Sequence, residues 1–91
     1  MTASMAHVIL PRSLAAILPG LPRRAEIEGA TVAEVIAALD ASWPGVADRL
    51  LEPGPAIREH INVFVDGEPA VLTTPVPSEA TMHIIPAVAG G

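Results

Sequence analysis

The chain contains no cysteine. That excludes disulfides, a thiol nucleophile and an iron–sulfur cluster. Lysine is absent too, so the five basic residues are all arginine, and the formal net charge is −5. Phe64 and Trp43 are the only aromatic residues. A chain with no basic stripe and no row of stacking rings is not built for nucleic acid. Its net charge favours basic protein partners, by field complementarity. Proline and glycine interrupt every apolar stretch, so no run approaches the roughly 18 residues of a membrane span. The opening MTASMAHVIL has no basic region ahead of its apolar residues. No secretory signal is expected from it, and the expected location is cytoplasmic, away from membranes.

What is present is aliphatic. Of the 91 residues, 51% are hydrophobic and 16% charged, the reverse of a disordered composition. The length suits one domain. MAHVILP, residues 5–11, is short, rich in branched residues and closed by proline, as a strand is. Leu14, Ile17 and Leu18 in RSLAAILPGLP fit one helical turn or a packed loop. RRAEIEG, residues 23–29, alternates charged and apolar residues, as a half-exposed strand does. In ATVAEVIAALDAS, Val32, Val35, Ile36 and Leu39 form one helical stripe. Thr31 and Glu34 have the spacing of a capping box, and Pro44 disfavours helix at Trp43. GVADRLL predicts a further short turn of helix, and EPGP a loop.

REHINVFVDG, residues 58–67, is the strongest strand signal. Ile61, Val63 and Val65 take one face; Asn62, Phe64 and Asp66 take the other. Asp66-Gly67 signals a hairpin, so EPAVL should return antiparallel, with Pro69 marking it as an edge. TMHIIPAV predicts a last strand. The order is β-β-α-β-β-β with a hairpin before the helix. One amphipathic helix on a sheet with one buried face makes a two-layer α+β domain. The expected fold is a β-grasp, a mixed sheet of four to five strands packed on one main helix, spanning residues 1–86.

The chain ends IIPAVAGG. Two glycines would fall together at an end by chance in about 0.5% of chains, given about 7% average usage. The element order, the INVFVDGEP hairpin and the PAVAGG ending together resemble the small sulfur-carrier proteins of the ubiquitin-like β-grasp superfamily. These include the small subunit of molybdopterin synthase and the thiamine-pathway carrier. The resemblance covers nearly the whole chain and is closest to the carriers of cysteine synthesis, from which RSLAAILPGLPRR departs.

The resemblance implies that Gly91 carries the chemistry. In the family the terminal carboxylate is adenylated by a separate ubiquitin-activating-like adenylyltransferase/sulfurtransferase that uses ATP. Sulfur then replaces the adenylate and gives a thiocarboxylate. The protein is implied to be a cosubstrate with no bound cofactor, not an enzyme. Its implied partners are that activating enzyme, a sulfur-acceptor synthase and a metalloprotease that processes adducts. Residues 87–91 are then a flexible tail, recognised through Ala87, Val88, Ala89 and Gly90. Extended, it would reach about 16 Å at about 3.3 Å per residue. Glycine has no Cβ, so Gly90 and Gly91 suit a narrow channel and leave the carbonyl open to attack. Pro86 lacks an N–H and would help release the tail from the sheet.

A second candidate is a surface. With Val63, Val65, Met82, Ile84, Val8 and Leu10 facing the helix, Ile9, Phe64, His83 and Ile85 face away. They would form an apolar patch beside the root of the tail, on the face through which ubiquitin-like proteins dock; such patches mark interaction sites. A covering loop, or a register shifted by one residue, would remove it.

Other residues carry less. His7, His60 and His83 lack ligand spacing, so no metal is expected. Glu26 and Glu28 read as a strand's polar face, Glu34 as a cap, and Arg23-Arg24 as a solvated pair that could also help a partner recognise the domain. No nucleotide-binding glycine loop is present, because the glycine pair follows a strand instead of opening a helix. The alternative function is a ubiquitin-like modifier joined through Gly91 to lysines of other proteins. A plain binding domain is a third reading. Without lysine the protein cannot build chains on itself, which favours the carrier.

Overall fold

A computed structural model describes residues 5–86. The tail expected from Ala87 to Gly91 therefore lies outside the described residues. In chain order the elements are β1 (Met5–Ile9), α1 (Arg12–Ile17), β2 (Arg24–Glu28), α2 (Val32–Ser42), α3 (Val46–Leu50), β3 (Leu51–Glu52), β4 (Ala56–Ile57), β5 (Ile61–Val65), β6 (Glu68–Pro69) and β7 (Thr81–Pro86). Five strands form a mixed sheet in the order β2-β1-β7-β5-β6. β1 and β7 run parallel at its centre, and the other pairings are antiparallel. The long helix α2 supplies the second layer, so the fold is an α+β, ubiquitin-like β-grasp.

Alternation along the strands sets which face is buried. Val8 and Leu10, Val63 and Val65, and Met82 and Ile84 are buried, and they pack in one core with Val32, Val35, Ile36 and Leu39 of α2. A single-residue slip would turn each set outward. The expected inward and outward assignments hold in all three strands, except that Ile61 is half-buried where a core position was expected. It sits at the end of β5, opposite Pro86. Among the described residues no polar or charged residue is buried.

The start of α2 is satisfied from two directions. Helix N-termini leave their first N–H groups without intrahelical partners. Here Glu34 N–H donates to Thr31 Oγ1 at 3.2 Å, while Val32 and Ala33 N–H donate to the carbonyls of Thr74 and Leu72. Glu34 Oε1 reaches back to the N–H of Ala30 at 3.0 Å, one residue earlier than a strict capping box. The connection between β6 and β7 is thus pinned across the helix start. Replacing Thr31 with alanine is expected to cost about 1 kcal/mol of stability in a urea titration. A change below measurement error would show that the strap carries the end alone.

The hairpin joining β5 and β6 turns on Asp66 and Gly67, both at positive φ, +49° and +84°. That is what a two-residue turn matching strand twist needs. Asp66 also ties the turn to β7: its N–H donates to Thr81 O, and its Oδ1 accepts from Thr81 N–H at 2.9 Å.

Two elements differ from the sequence reading, and the choice left open for RSLAAILPGLP resolves to helix. The strand expected over residues 58–67 is paired only over Ile61–Val65. EPGP is the turn of a small hairpin, in which Leu51 pairs with Ile57 and Glu52 with Ala56. RSLAAI forms helix α1, of which only Leu14 is buried. Asp40 joins α2 to α3, its Oδ1 accepting from the N–H groups of Gly45 and Ala47 at 3.1 and 3.0 Å.

Candidate docking face and tail root

The outer face of the sheet, opposite α2, can be read row by row from the strand register. Ile9 lies beside His83, which lies beside Phe64, which lies beside Pro69. Arg24 extends this row on the other side of Ile9. One step toward the end of β7, Ile85 lies beside Asn62. The sheet therefore brings Ile9, Phe64, His83 and Ile85 together on one face, from three adjacent strands. No loop hides them all: Ile85 is 44% exposed, while Ile9, Phe64 and His83 are half-buried. The patch is flatter and less exposed than four free side chains would make it.

Strand direction places the root of the tail. β7 ends at Pro86, opposite Ile61, three residues beyond the level of His83, where β1 ends and β2 begins. A surface cavity of about 460 Å³ opens there, lined by Ile9, Pro11, Arg12, Arg23, Ile85 and Pro86 among others. Arg23 is held in place by a bond from Nε to the carbonyl of Leu10 at 2.8 Å. Arg12, in α1, was not singled out from the sequence. Its helix follows β1 directly, and only the topology shows that this connection sits beside the end of β7.

The remaining candidates stay apart from this site. His7 lies 3.5 Å from Glu79 at the opposite end of β1. His60 is exposed ahead of β5. Among the described residues no group of three His, Asp, Glu or Cys side chains could hold a metal ion, and no helix is long and apolar enough to cross a membrane. Glu26 and Glu28 are exposed on β2 and Glu34 caps α2, so they make no carboxylate pair. The described residues contain nothing resembling a catalytic constellation. What they offer is a partly exposed apolar patch beside the last described strand.

Known proteins share this arrangement. Residues 16–91 match the sequence model of the ThiS family. The small archaeal modifier protein 3 of Haloferax volcanii is 34% identical over 68 residues, covering 70% of this chain and 73% of that one. The sulfur carrier protein CysO of Mycobacterium tuberculosis is 28% identical, over 99% of this chain and 97% of its own. Among solved structures, a chain of the Amycolatopsis orientalis BexX/CysO complex superposes with a TM-score of 0.85 at 32% identity. The match covers 94% of this chain and 99% of that one.

Proposed function

The chain belongs to the ThiS family, and from that premise we propose that it is a sulfur carrier whose reactive group is the carboxylate of Gly91. The observation that carries this reading is the likeness to a sulfur carrier protein along 99% of the chain. A carboxylate is a poor electrophile and needs activation. In the proposed sequence a carboxylate oxygen of Gly91 attacks the α-phosphorus of ATP on a separate adenylyltransferase, and pyrophosphate leaves. A hydrosulfide equivalent then attacks the carbonyl carbon, AMP leaves, and Gly91 ends as a thiocarboxylate. An acceptor synthase takes the sulfur, in the synthesis of cysteine, molybdopterin or a similar product, and water restores the carboxylate. That the solved CysO neighbour is part of a complex with a second protein, BexX, supports a role that depends on docking.

The likeness to a small archaeal modifier protein favours a second reading, conjugation through Gly91 to lysines of other proteins, with a metalloprotease to reverse it. The products distinguish the two. Affinity-tagged protein recovered from cells should carry a free thiocarboxylate, trapped by alkylation. Recovery chiefly as isopeptide adducts would reject the carrier reading in favour of the modifier.

The docking face is assigned to Ile9, Phe64, His83 and Ile85. Ile85 is exposed, so Ile85→Ser should leave the melting temperature nearly unchanged. Phe64→Ser should cost about 1–2 kcal/mol, because the ring is half-buried, and should still fold. Central anchors of an interface often contribute 2 kcal/mol or more, about thirtyfold in affinity. Both variants should therefore bind the activating or acceptor enzyme about tenfold to thirtyfold more weakly in a calorimetric titration. Parental affinity in both would move recognition to the tail or to the helix side.

A further inference from the structure

The net charge of −5 misdescribes the end of the molecule that matters. All five arginines are exposed, and among the described residues none is in an ion pair, since the one such contact joins His7 and Glu79. Their placement is not even. Arg12 and Arg23 line the cavity at the end of β7. Arg24 lies beside Ile9 in the row that crosses the docking face. Arg49 lines a neighbouring cavity with Pro11, Ser13 and Ile61, the residue opposite Pro86. No carboxylate lines either cavity.

Half of the acidic residues lie at the other end or on the far edge of the sheet; of the rest, Glu26 shares a face of β2 with Arg24, Asp48 lines a third cavity with Arg49 and Arg58, and Glu59 precedes Ile61 by two residues. Glu28 lies opposite Met5 at the start of β1. Asp66 and Glu68 form the hairpin beside Thr81. Glu79 donates its N–H to Met5 O, and Glu34 caps the helix that follows β2. These five of the ten carboxylates lie away from the cavity at Pro86: Glu28 is four residues from Arg24 along β2, and Glu68, level with Met82, is on the opposite edge of the sheet from Arg24. Four strand residues span about 13 Å and four strand spacings about 19 Å, both beyond the roughly 8 Å over which charges are screened at physiological salt. A partner arriving at the cavity beside Pro86 therefore meets Arg12 and Arg23 first, with no carboxylate in the lining. The overall acidity pointed toward basic partners; the local field points the other way.

We propose that Arg12, Arg24 and Arg49, with the anchored Arg23, form a basic collar around the root of the tail that docks on an acidic protein surface. That surface is a rim of carboxylates around the channel of the activating enzyme that receives residues 87–91. This inference rests on the carrier reading and adds the chemistry of its partner. The collar lies at the edge of the apolar patch, so the interface has an apolar centre and a charged border. Border charges act mainly on association rate and its salt dependence. The collar also sets direction, because the dipolar charge distribution turns the tail end toward the channel before contact.

The test uses the full chain with its ATP-dependent activating enzyme, measuring pyrophosphate release. Arg23 is left alone because it bonds Leu10. In Arg12→Glu/Arg24→Glu, KM should rise about tenfold or more at physiological salt with kcat unchanged. The parent's kcat/KM should fall as salt is raised, while that of the variant should be flat or rise. Glu28→Arg/Glu68→Arg, at the far end, should behave like the parent. Should the double reversal fail to fold, Arg12→Ala/Arg24→Ala is expected to show the same change, smaller, with a reduced salt slope. Parental KM and salt dependence in a folded collar variant would overturn the collar while leaving the carrier reading intact. A parent protein that supports no pyrophosphate release would overturn both.

Discussion

Removing Gly91, or adding one alanine after it, is expected to abolish sulfur loading and leave folding unchanged. The reason is positional. Either change moves the carboxylate by one residue, about 3.3 Å along an extended chain, and a 1 Å misplacement can already cost about a hundredfold in rate. Among the described residues the core ends at Ile84, two residues before the end of β7. Stability should therefore move by less than about 0.5 kcal/mol. Loading at even a tenth of the parental rate by either variant would mean that the reactive group is not held at one fixed reach from Pro86. A lowered melting temperature would instead give the tail a structural role.

Ile36→Ala should be the most damaging substitution to the fold. Ile36 is 1% exposed and lies in the stripe of α2 that faces the sheet. Truncating such a side chain removes its burial and leaves a cavity, together about 2–5 kcal/mol. A domain of this size has about 5–14 kcal/mol in total, so the loss is a large share of the whole. The melting temperature should fall by at least about 8 °C, at about 4–8 °C per kcal/mol. Equilibrium urea unfolding with an unchanged slope would confirm that stability alone has changed. A silent substitution would mean that the sheet and α2 do not share the core described here.

The sequence made the sheet's faces and the main helix legible for a simple reason. Ile61 to Val65 and Thr81 to Ile84 alternate cleanly, and a period of two admits only one burial pattern once a face is chosen. Val32, Val35, Ile36 and Leu39 do the same for a period near 3.6. The hairpin at Asp66-Gly67 was readable because few residue pairs accept positive φ at both turn positions. Among the short elements, α3 was readable as a turn of helix in GVADRLL and α1 only as one of two alternatives, whereas the short strands β3 and β4 were not readable. β3 and β4 have two residues each, too few to show a period. They pair beside the bond from Arg58 N–H to Leu50 O, which ties the hairpin to the end of α3. α1 buries only Leu14, so it shows no apolar stripe. The outward apolar residues of the proposed docking face followed from alternation. The proposed arginine collar did not, because Arg12, Arg24 and Arg49 come from α1, β2 and α3, and only the topology shows which residues they neighbour.

The central claim is that Gly91 carries sulfur, and one mass spectrum tests it most directly. The purified protein is incubated with the activating enzyme, ATP and a sulfide donor, and its intact mass is read with and without ATP. The carrier reading predicts an ATP-dependent gain equal to one oxygen replaced by sulfur, localised to the C-terminal peptide and absent when an alanine follows Gly91. An unchanged mass under conditions that load a known carrier of the family, or a gain on any other peptide, would contradict it.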